Sequence, residues 1–556
     1  MVNVKNLFGM AVMATALVGC SSNDNLAPDG NGGNKDGAAY ASFTINLPTT
    51  RATRATDGEP SFAEGDAKEY EVKNGTILIF DMDGKYVTSA QLGNMNPWKD
   101  IKTDGVTTAA TATVQLSGVT VGGSYQALVL LNNDVDDAPS KVTLPTSGES
   151  YADWSANAEN ANATYTNTDY IFMANAPKYT GTSTEPTTLV PVANICASRE
   201  QAEAQAATTV YVERGLAKVT MQKFNADGYS IAAGTYEGGK VEITAWQLDV
   251  TNKSTFPVHQ TDGLMTAWDQ IWNTGRFFDA TSSMFQRVYW GKDPNYSGGA
   301  LQDLAACKDA FNMITNDKVV GEAGIENPQY CLENTFDLAN MMQGQTTRVV
   351  FKAVFTPKGF TGSETFYKIG NNTAIWDATK LAQQIKTVAV TAMGITDAAE
   401  QNKYSVDLSK GSNISGVAGQ HLVEAGNIIY SGEAASSKVT EAIVNAINEK
   451  LGLSAKTGIS TYLNGEAYYI ARIKHFNELT PWTAGTPYNG DNNAFLGRYG
   501  VLRNNWYDLS VNSISGLGYP DVPEVKPEMP DDENEQFINV EVKILDWAKR
   551  SQNIDL

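Results

Sequence analysis

Histidine is scarce in this chain, and the few that occur are scattered. The 556 residues include three histidines, His259, His421 and His475. Because they lie far apart in the sequence, they indicate neither a histidine-based metal site nor a Ser-His-Asp triad. Carboxylates are abundant, but none falls in a recognisable catalytic frame. The sequence therefore predicts a protein that is not an enzyme and that has no cofactor and no metal site.

Cysteine is almost as rare. The chain has four cysteines, and the first, Cys20, belongs to a targeting segment described below. Cys196, Cys307 and Cys331 remain, an odd number at wide spacings that indicates neither a disulfide framework nor a zinc site. Because free cysteine is among the most buried residue types, these three are predicted to be buried thiols.

Positive charge is also in deficit. The chain carries 41 basic and 62 acidic residues, for a net charge of −21. Phosphate backbones and anionic membranes are both bound by basic surfaces. The composition therefore excludes nucleic acid as a partner and electrostatic docking on an anionic membrane.

The N-terminal apolar run is too short to cross a bilayer. It extends from Leu7 to Val18, about 12 residues, whereas a membrane-spanning helix needs about 20. A run of this length near a basic residue predicts a signal peptide, residues 1–19. The sequence LVGC at 17–20 resembles a bacterial lipobox, in which the peptide is cut before the cysteine. Cys20 is thus the predicted lipidated residue.

Polar residues follow Cys20 and predict a disordered tether over residues 20–40. The expected product is a lipid-anchored precursor displayed at the outer membrane.

The body of the chain reads as short strands joined by many turns. The hairpin at 75–88 is the clearest case, because an Asp83-Gly84 turn, a favoured hairpin turn, separates two apolar runs. One helix is predicted over 436–452, with Val439, Ile443, Ile447 and Leu451 on one face. The predominance of short strands predicts an all-β protein made of β-sandwich domains with few short helices.

The pattern divides the chain into segments. The predicted divisions are an N-terminal sandwich at 41–225, a C-terminal sandwich at 226–517, an acidic Pro-rich linker at 518–536 and a terminal strand at 537–556. The linker has four prolines among acidic residues and is expected to be an extended spacer without a core of its own.

The first and last strands have the same apolar alternation. Phe43, Ile45 and Leu47 share one face of the first strand. In the last strand Ile538, Val540, Val542 and Ile544 share one face, and Leu545 and Trp547 follow. Strands with the same period fit the same position in a sheet.

Two arginines, Arg51 and Arg54, directly follow the first strand in a polar loop. If a protease cuts there, the first strand loses its covalent tie and can leave, and the terminal strand of a neighbouring copy can take its place. This exchange is a form of β-augmentation, and repeated head to tail it builds a filament. The alternative for these arginines alone is an ordinary solvated loop.

Several motifs resemble those of the fimbrillins that build type V fimbriae, and most closely the major subunit of the minor fimbrium. They are Val212-Glu213-Arg214 with Ala217, Leu332-Glu333-Asn334-Thr335, Phe355-Thr356-Pro357-Lys358, Tyr468-Tyr469, the segment 501–507 followed by 516–518, and the terminal 540–547. Their common order carries the resemblance.

The resemblance implies two sandwiches of transthyretin-like topology, export as a lipoprotein, cutting by an Arg-specific or trypsin-like protease, and polymerisation by strand exchange. The lipidated residue carried over is Cys20, and the cut follows Arg51 or Arg54. The implied partners are copies of the same chain and other fimbrial subunits, with adhesion to an unidentified host receptor or partner bacterium as the outcome. The implied location is the outer membrane for the precursor and the extracellular fimbrium for the product.

Two alternatives stay open on the sequence. One is a fimbrial anchor or tip accessory subunit, although a terminal donor strand favours the shaft. The other is a monomeric surface lipoprotein that binds glycans, because the aromatic-rich segment 267–291 offers rings that stack on sugars. Such rings also dominate cores, where they bind no ligand.

Overall fold

The protein is described by a computed structural model. It describes residues 38–47, 62–63, 67–92, 108–134, 141–178, 186–262, 288, 290–297, 301, 303–335, 337–455, 457–475, 497–531 and 538–547. Cys20, Arg51 and Arg54 lie outside these residues.

Short strands dominate the described part of the chain. They are β1 (Ala39–Leu47), β2 (Phe62–Ala63), β3 (Gly75–Phe80), β4 (Tyr86–Gln91), β5 (Thr108–Leu116), β6 (Gln126–Leu131), β7 (Glu159–Asn160), β8 (Met173–Asn175), β9 (Val190–Pro191), β10 (Thr208–Arg214), β11 (Leu216–Met221), β12 (Tyr229–Ser230), β13 (Lys240–Asp249), β14 (Thr251–Asn252), β15 (Ser254–Thr255), β16 (Phe311–Asn312), β17 (Gly324–Leu332), β18 (Arg348–Thr356), β19 (Phe366–Ile369), β20 (Tyr404–Val406), β21 (Gly419–His421), β22 (Ile428–Tyr430), β23 (Ile459–Tyr462), β24 (Glu466–Arg472), β25 (Asn505–Ile514) and β26 (Ile538–Trp547).

Helices are few and mostly short. The α-helices are α1 (Tyr151–Ser155), α2 (Arg199–Ala204), α3 (Leu304–Ala310), α4 (Ala378–Ala392), α5 (Ala398–Gln401) and α6 (Glu441–Lys450). The 3-10 turns are Ala67–Glu69, Pro294–Ser297, Asn316–Lys318, Leu338–Asn340, Ala425–Asn427, Ala434–Ser436 and Leu463–Gly465. Among the described residues, no helix combines the length and the apolar character needed to cross a membrane.

The N-terminal domain is one sheet folded over on itself. Its strand order is β4-β3-β6-β8-β10-β1-β5, with β9 added beside β6. The outer strands β4 and β5 approach each other, so the sheet closes around an apolar core. This is the sandwich arrangement that the alternating strands predict.

Strand β3 shows why two faces of this sheet are buried. All six of its residues are buried. Ile77 and Ile79 point into the core of the N-terminal domain, whereas Leu78 and Phe80 belong to a second apolar cluster. That second cluster also contains Leu332 of the C-terminal domain. The two domains therefore pack together through an apolar interface.

The C-terminal domain is a two-sheet sandwich. One sheet has the order β17-β11-β25-β26-β2 and the other the order β12-β13-β18-β24. Between them lies one core to which both sheets contribute, for example Val219 and Tyr507 from the first and Trp246 and Phe351 from the second. The chain passes from the N-terminal sheet to this one at Gly215, earlier than the expected boundary after residue 225.

An α/β module interrupts the C-terminal sandwich. Strands β18 and β24 are antiparallel neighbours, and the chain between them forms two small sheets and helices α4 to α6. The module has an apolar core of its own, which includes Leu381 and Ile385 of α4 and Ile447 of α6. The sequence analysis predicted α6 but neither α4, the longer helix, nor the strands around them, which are three or four residues long.

The predicted fold class is confirmed: the described chain is mainly β, with sandwich domains and few helices. The hairpin is also confirmed, since β3 and β4 pair antiparallel and Gly84 turns between them with a φ of 74°. Helix α6 begins after Thr440, whose side chain accepts a hydrogen bond from the backbone N–H of Ile443, rather than at the preceding serines.

Candidate functional site

The first strand occupies an interior position in the N-terminal sheet. β1 is antiparallel to β5 over nine residue pairs and parallel to β10 over four. Both edges of its backbone are therefore hydrogen-bonded within the same chain. Removal of β1 would leave two facing rows of backbone donors and acceptors without partners, which is costly in a buried sheet.

The inward face of β1 fills the domain core. Ala39, Ala41, Phe43, Ile45 and Leu47 are each no more than 2% exposed and belong to the N-terminal core. The predicted face of three large apolar residues is therefore buried, and two alanines extend it.

The outward face of β1 is held by hydroxyl groups. Ser42 donates through Oγ to the carbonyl oxygen of Ala202 in α2 at 2.9 Å. Thr44 and Thr111 join their hydroxyls at 2.9 Å across the β1–β5 pair. These bonds set the register of β1 in addition to its apolar side chains.

The last strand belongs to the C-terminal domain. β26 is antiparallel to β25 over nine residue pairs, from Asn505 opposite Asp546 to Ile514 opposite Ile538. Val540 is 8% exposed and packs in the C-terminal core. In the single chain, the terminal strand thus folds back on its own C-terminal sandwich.

The structure does not bring the two ends into one sheet. Phe43, Ile45 and Leu47 lie in the N-terminal sheet, whereas Ile538, Val540, Val542, Ile544, Leu545 and Trp547 lie in a strand of the C-terminal sheet. In a single chain each strand occupies its own position.

A short strand between β1 and β3 pairs with the last strand. β2, at Phe62–Ala63, is parallel to the end of β26, with Phe62 opposite Asp546 and Ala63 opposite Trp547. Arg51 and Arg54, which lie outside the described residues, fall in the sequence between β1 and β2.

Buried charges fix the domain junction. The Lys218 ammonium in β11 lies 2.6 Å from Oε1 of Glu69, and both side chains are at most 3% exposed. The hydroxyl of Tyr330 donates to the same carboxylate oxygen at 2.5 Å, and Lys218 lies over the Trp506 ring at 3.8 Å from its centroid. Glu69 belongs to the turn before β3, so this cluster ties the N-terminal domain to the C-terminal sheet.

Arg214, at the last position of β10, completes this cluster. Its Nε donates to the carbonyl oxygen of Glu69 at 2.8 Å, and its backbone N–H donates to Oδ1 of Asn504. Burial lowers the pKa of Arg214 to about 10, although Glu69 partly opposes the shift, so the guanidinium stays charged at neutral pH.

Two further buried pairs flank the cluster. Nδ1 of His259 lies 2.7 Å from Oε1 of Glu213, and Nε of Arg503 lies 3.3 Å from Oε1 of Glu333. Burial disfavours the charged ring of His259, but the Glu213 and Glu333 carboxylates outweigh burial and raise the pKa of His259 above its usual value.

The sequence did not predict the junction as a unit, and only some of its residues lie in the motifs quoted above. Glu213, Arg214, Glu333, Arg503 and Asn504 belong to the motifs that carry the family resemblance. The sequence signal for such a junction is a charged residue inside an otherwise apolar strand. A charged side chain that is buried in the folded protein needs a buried partner.

The linker departs from the expected free spacer. Nη2 of Arg348, in the C-terminal sheet, donates to the carbonyl oxygen of Pro523 at 2.7 Å and also pairs with Asp249 at 2.8 Å. The hydroxyl of Thr346 donates to the buried Asp531 at 3.0 Å. The linker is thus docked on its own domain as far as Asp531, because its backbone and carboxylate are hydrogen-bond partners of the buried Arg348 in β18 and of Thr346 just before that strand.

The cysteines and the aromatic-rich segment, which were also considered from the sequence, show no ligand site among the described residues. Cys196, Cys307 and Cys331 are buried, as predicted, and burial raises the pKa of Cys331 to about 12. Trp290, at the end of the aromatic-rich segment, is fully buried, while most of that segment lies outside the described residues. Within the described ranges, no group of three potential metal ligands occurs.

The C-terminal part of the chain matches a known family. Residues 460–553 match the model of "Major fimbrial subunit protein type IV, Fimbrillin, C-terminal". We call residues 460–553 the fimbrillin region, because this part of the chain is similar to the C-terminal part of that family. The match takes in β24, β25 and β26, so the last strand and the strand it pairs with are both part of the fimbrillin region.

Over residues 460–553 the chain is thus similar to the C-terminal part of a major fimbrial subunit. The family description speaks of type IV, so the assignment to type V stays a prediction. No curated protein matches the chain.

Three solved structures resemble the chain distantly. A putative cell adhesion protein from Parabacteroides distasonis is 11% identical, with 92% of this chain and 99% of that chain covered and a TM-score of 0.41. A fimbrilin from Porphyromonas gingivalis is 10% identical, with 92% and 99% covered and a TM-score of 0.35. The tip fimbrial protein from the same organism is 11% identical, with 91% and 100% covered and a TM-score of 0.30. At these TM-scores the likenesses carry no argument about this chain.

Proposed function

We propose that this chain is the shaft subunit of a type V fimbrium. In this proposal it is exported as a lipoprotein through Cys20, cut after Arg51 or Arg54, and polymerised by donor-strand exchange. The observation that carries the proposal is the position of β1, an interior strand with partners on both sides that directly precedes the two arginines. The fimbrillin match over the terminal strands supports it.

A vacated β1 position would suit the terminal strand of a neighbour. Laid in the direction of β1, the alternating residues Ile538, Val540, Val542 and Ile544 replace Ala41, Phe43, Ile45 and Leu47 one for one. Each buried aliphatic side chain contributes about 1.5–3 kcal/mol. Four of them, together with backbone bonds on both edges, would make a very stable joint.

Exchange also improves the backbone pairing of the tail. Among the described residues, β26 pairs along its length with β25 and meets β2 at Phe62 and Ala63. In the β1 position a donor would have β5 on one side and β10 on the other. Exchange therefore moves the terminal strand from pairing along its length with one strand, β25, to pairing with two, β5 and β10. The additional backbone pairing favours the joined state.

The exchange would occur outside the cell and between copies. The precursor would sit at the outer membrane and the product would be an extracellular fimbrium. The partners are copies of this chain, other fimbrial subunits such as anchor and tip proteins, and an Arg-specific or trypsin-like protease. The repeated interface does not close on itself, so it gives a filament.

The test uses protein that begins after Cys20 and is treated with trypsin. We expect the wild-type protein to lose β1 and to form ladders and filaments, seen by native gels and electron microscopy. The Arg51→Ala, Arg54→Ala double variant should stay monomeric. A cut protein shortened to end at Asp531 controls for nicking elsewhere, because it lacks a donor strand and should not polymerise.

One result would overturn the proposal. If mass spectrometry shows that β1 has been cut and lost from the wild-type protein, yet the protein stays monomeric at high concentration, strand exchange is not its function.

A further inference from the structure

We propose that β2 (Phe62–Ala63), here called the clamp, holds β26, the tail strand, in its own domain. One cut after Arg51 or Arg54 would then free both the β1 position, which accepts a neighbour's strand, and β26, which is the donor. The inference rests on the proposed function and adds its regulation. The observation behind it is the parallel pairing of β2 with the end of β26.

The clamp lies on the edge of β26 that faces away from β25. β25 covers one edge of the tail along its length, whereas β2 covers the other edge at Asp546 and Trp547. A tail that leaves its sheet must break both sets of contacts. A partner placed at the last residues of β26 opposes any separation of β26 from β25 that starts at that end of the strand.

The clamp segment is tied down at both ends in the uncut chain. Downstream, Glu69 is held by Lys218, Tyr330 and Arg214 in the buried junction. Upstream, the chain runs to Leu47 at the end of β1, an interior strand. Between two fixed ends, β2 is kept at a high effective concentration beside the tail.

A cut after Arg51 or Arg54 removes the upstream tie. β2 is then joined covalently to the rest of the protein through Glu69 and no longer through β1. A pairing of two residues has little stability of its own, because each backbone hydrogen bond contributes only about 0.5–1.5 kcal/mol. Confinement by two ends stabilises the pairing, and the cut ends that confinement.

The arrangement prevents a specific failure of assembly. An uncut subunit with a free tail would fill the vacancy of a cut neighbour but would offer none itself, because its own β1 is still in place. It would therefore terminate a filament. With the clamp, a single cut gives a subunit both abilities: to donate its tail strand and to accept the tail strand of a neighbour.

The test separates donation from acceptance. The acceptor is cut protein that has lost β1 and ends at Asp531, so it accepts but does not donate. The donor is the full-length Arg51→Ala, Arg54→Ala variant, which keeps β1 and can only donate. Their heterodimer is measured by native gel and mass spectrometry.

Proline in β2 should open the clamp without a cut. Adding Ala63→Pro to the donor removes a backbone N–H and disfavours the strand pairing. We expect the heterodimer yield to rise about tenfold, which corresponds to the loss of roughly 1.4 kcal/mol of clamp pairing. The matched control is Ala55→Pro in the same donor, which makes the same change before β2 and should leave the yield low.

A second variant closes the clamp instead. Phe62→Cys with Asp546→Cys places cysteines at paired positions of β2 and β26. After cutting, this protein should fail to donate under oxidising conditions and should donate once a reductant is added.

The outcomes distinguish the two proposals. If cut full-length protein donates to the acceptor but Ala63→Pro donates no better than its parent, the clamp is wrong and the proposed function stands. If cut full-length protein with its tail intact fails to join the acceptor, the proposed function fails and the clamp falls with it.

Discussion

At the scale of single residues, the domain junction depends on charges removed from water. Glu69 and Lys218 are buried, close together and further stabilised by Tyr330 and the Trp506 ring. A buried charge that loses its partner keeps its desolvation penalty without compensation. The junction is therefore sensitive to single substitutions, although replacing the whole cluster with apolar residues need not destabilise it.

Lys218→Met should lower the free energy of unfolding by about 3–5 kcal/mol, because it leaves Glu69 buried without its cation. Urea denaturation followed by tryptophan fluorescence measures the change. Lys68→Met is the matched control, since Lys68 pairs with Asp169 at a distance of 3.0 Å while both side chains are more than half exposed. That control should change stability by less than about 1 kcal/mol. Equal effects of the two variants would contradict the role given to the buried pair.

His259 should give the protein a pH-dependent stability. Its pKa is raised in the folded state by Glu213 and Glu333. The stabilisation is complete below the unfolded pKa of about 6.5. It is lost as the pH rises through the higher folded value.

The free energy of unfolding of the wild-type protein should accordingly fall as the pH rises above about 6.5. His259→Gln should flatten this part of the profile, whereas His421→Gln, a change in the α/β module, should leave it in place. A wild-type profile that rises across this range, or one that His259→Gln does not alter, would show that the pair is not ionised as described.

At the scale of elements, β1 is held by its core side chains as well as by its neighbours. Phe43 is fully buried, whereas Thr44, the next residue, points to the other face and is half-buried. The two positions share the same backbone environment and differ in what they bury.

Phe43→Ala should destabilise the uncut protein by about 3–5 kcal/mol, because it removes a buried aromatic ring and leaves a cavity. Thr44→Ala is the control and should cost less than about 1.5 kcal/mol, the value of one hydrogen bond. Chemical denaturation of the uncut proteins measures both. A Phe43→Ala cost no larger than that of Thr44→Ala would mean that β1 is loosely seated.

The α/β module is an element with its own core and should open separately. Ile385 of α4 is fully buried within it. Ile385→Ala should remove about 2–5 kcal/mol from the protection of the module's amides in hydrogen exchange while β13 and β18 keep theirs. Gln383→Ala, on the exposed side of α4, is the control. Loss of protection throughout the C-terminal sandwich would show that the module does not unfold independently.

At the scale of the whole molecule, the two sandwiches should behave as one unit. They share an apolar cluster that contains residues of both domains, and the buried ion pairs cross the same junction. We expect amides of β3 and β13 to exchange with free energies of opening that agree within about 1 kcal/mol, as in a single cooperative transition. Exchange of β3 with a free energy several kcal/mol lower would mean that the N-terminal domain opens alone.

The first and last strands show which structural features the sequence predicts and which it does not. Alternation along Phe43, Ile45 and Leu47 correctly indicates a buried face, since period-two patterns depend on local geometry alone. The sequence does not indicate that β1 is an interior strand or that β26 pairs with β25. Those partners lie far away in the chain, and pairing is decided by the packing of the whole sheet.

The sequence alone determined the secondary-structure class, the apolar faces of the end strands and the position of the arginines between two strands, because each depends on neighbouring residues. The tertiary structure decided that each end strand belongs to a different sandwich, that β2 pairs with β26, and that charges from one turn and from strands β10 and β11 meet at one junction. Strand partners and buried ion pairs depend on contacts between residues distant in sequence, and only the folded chain brings those residues together.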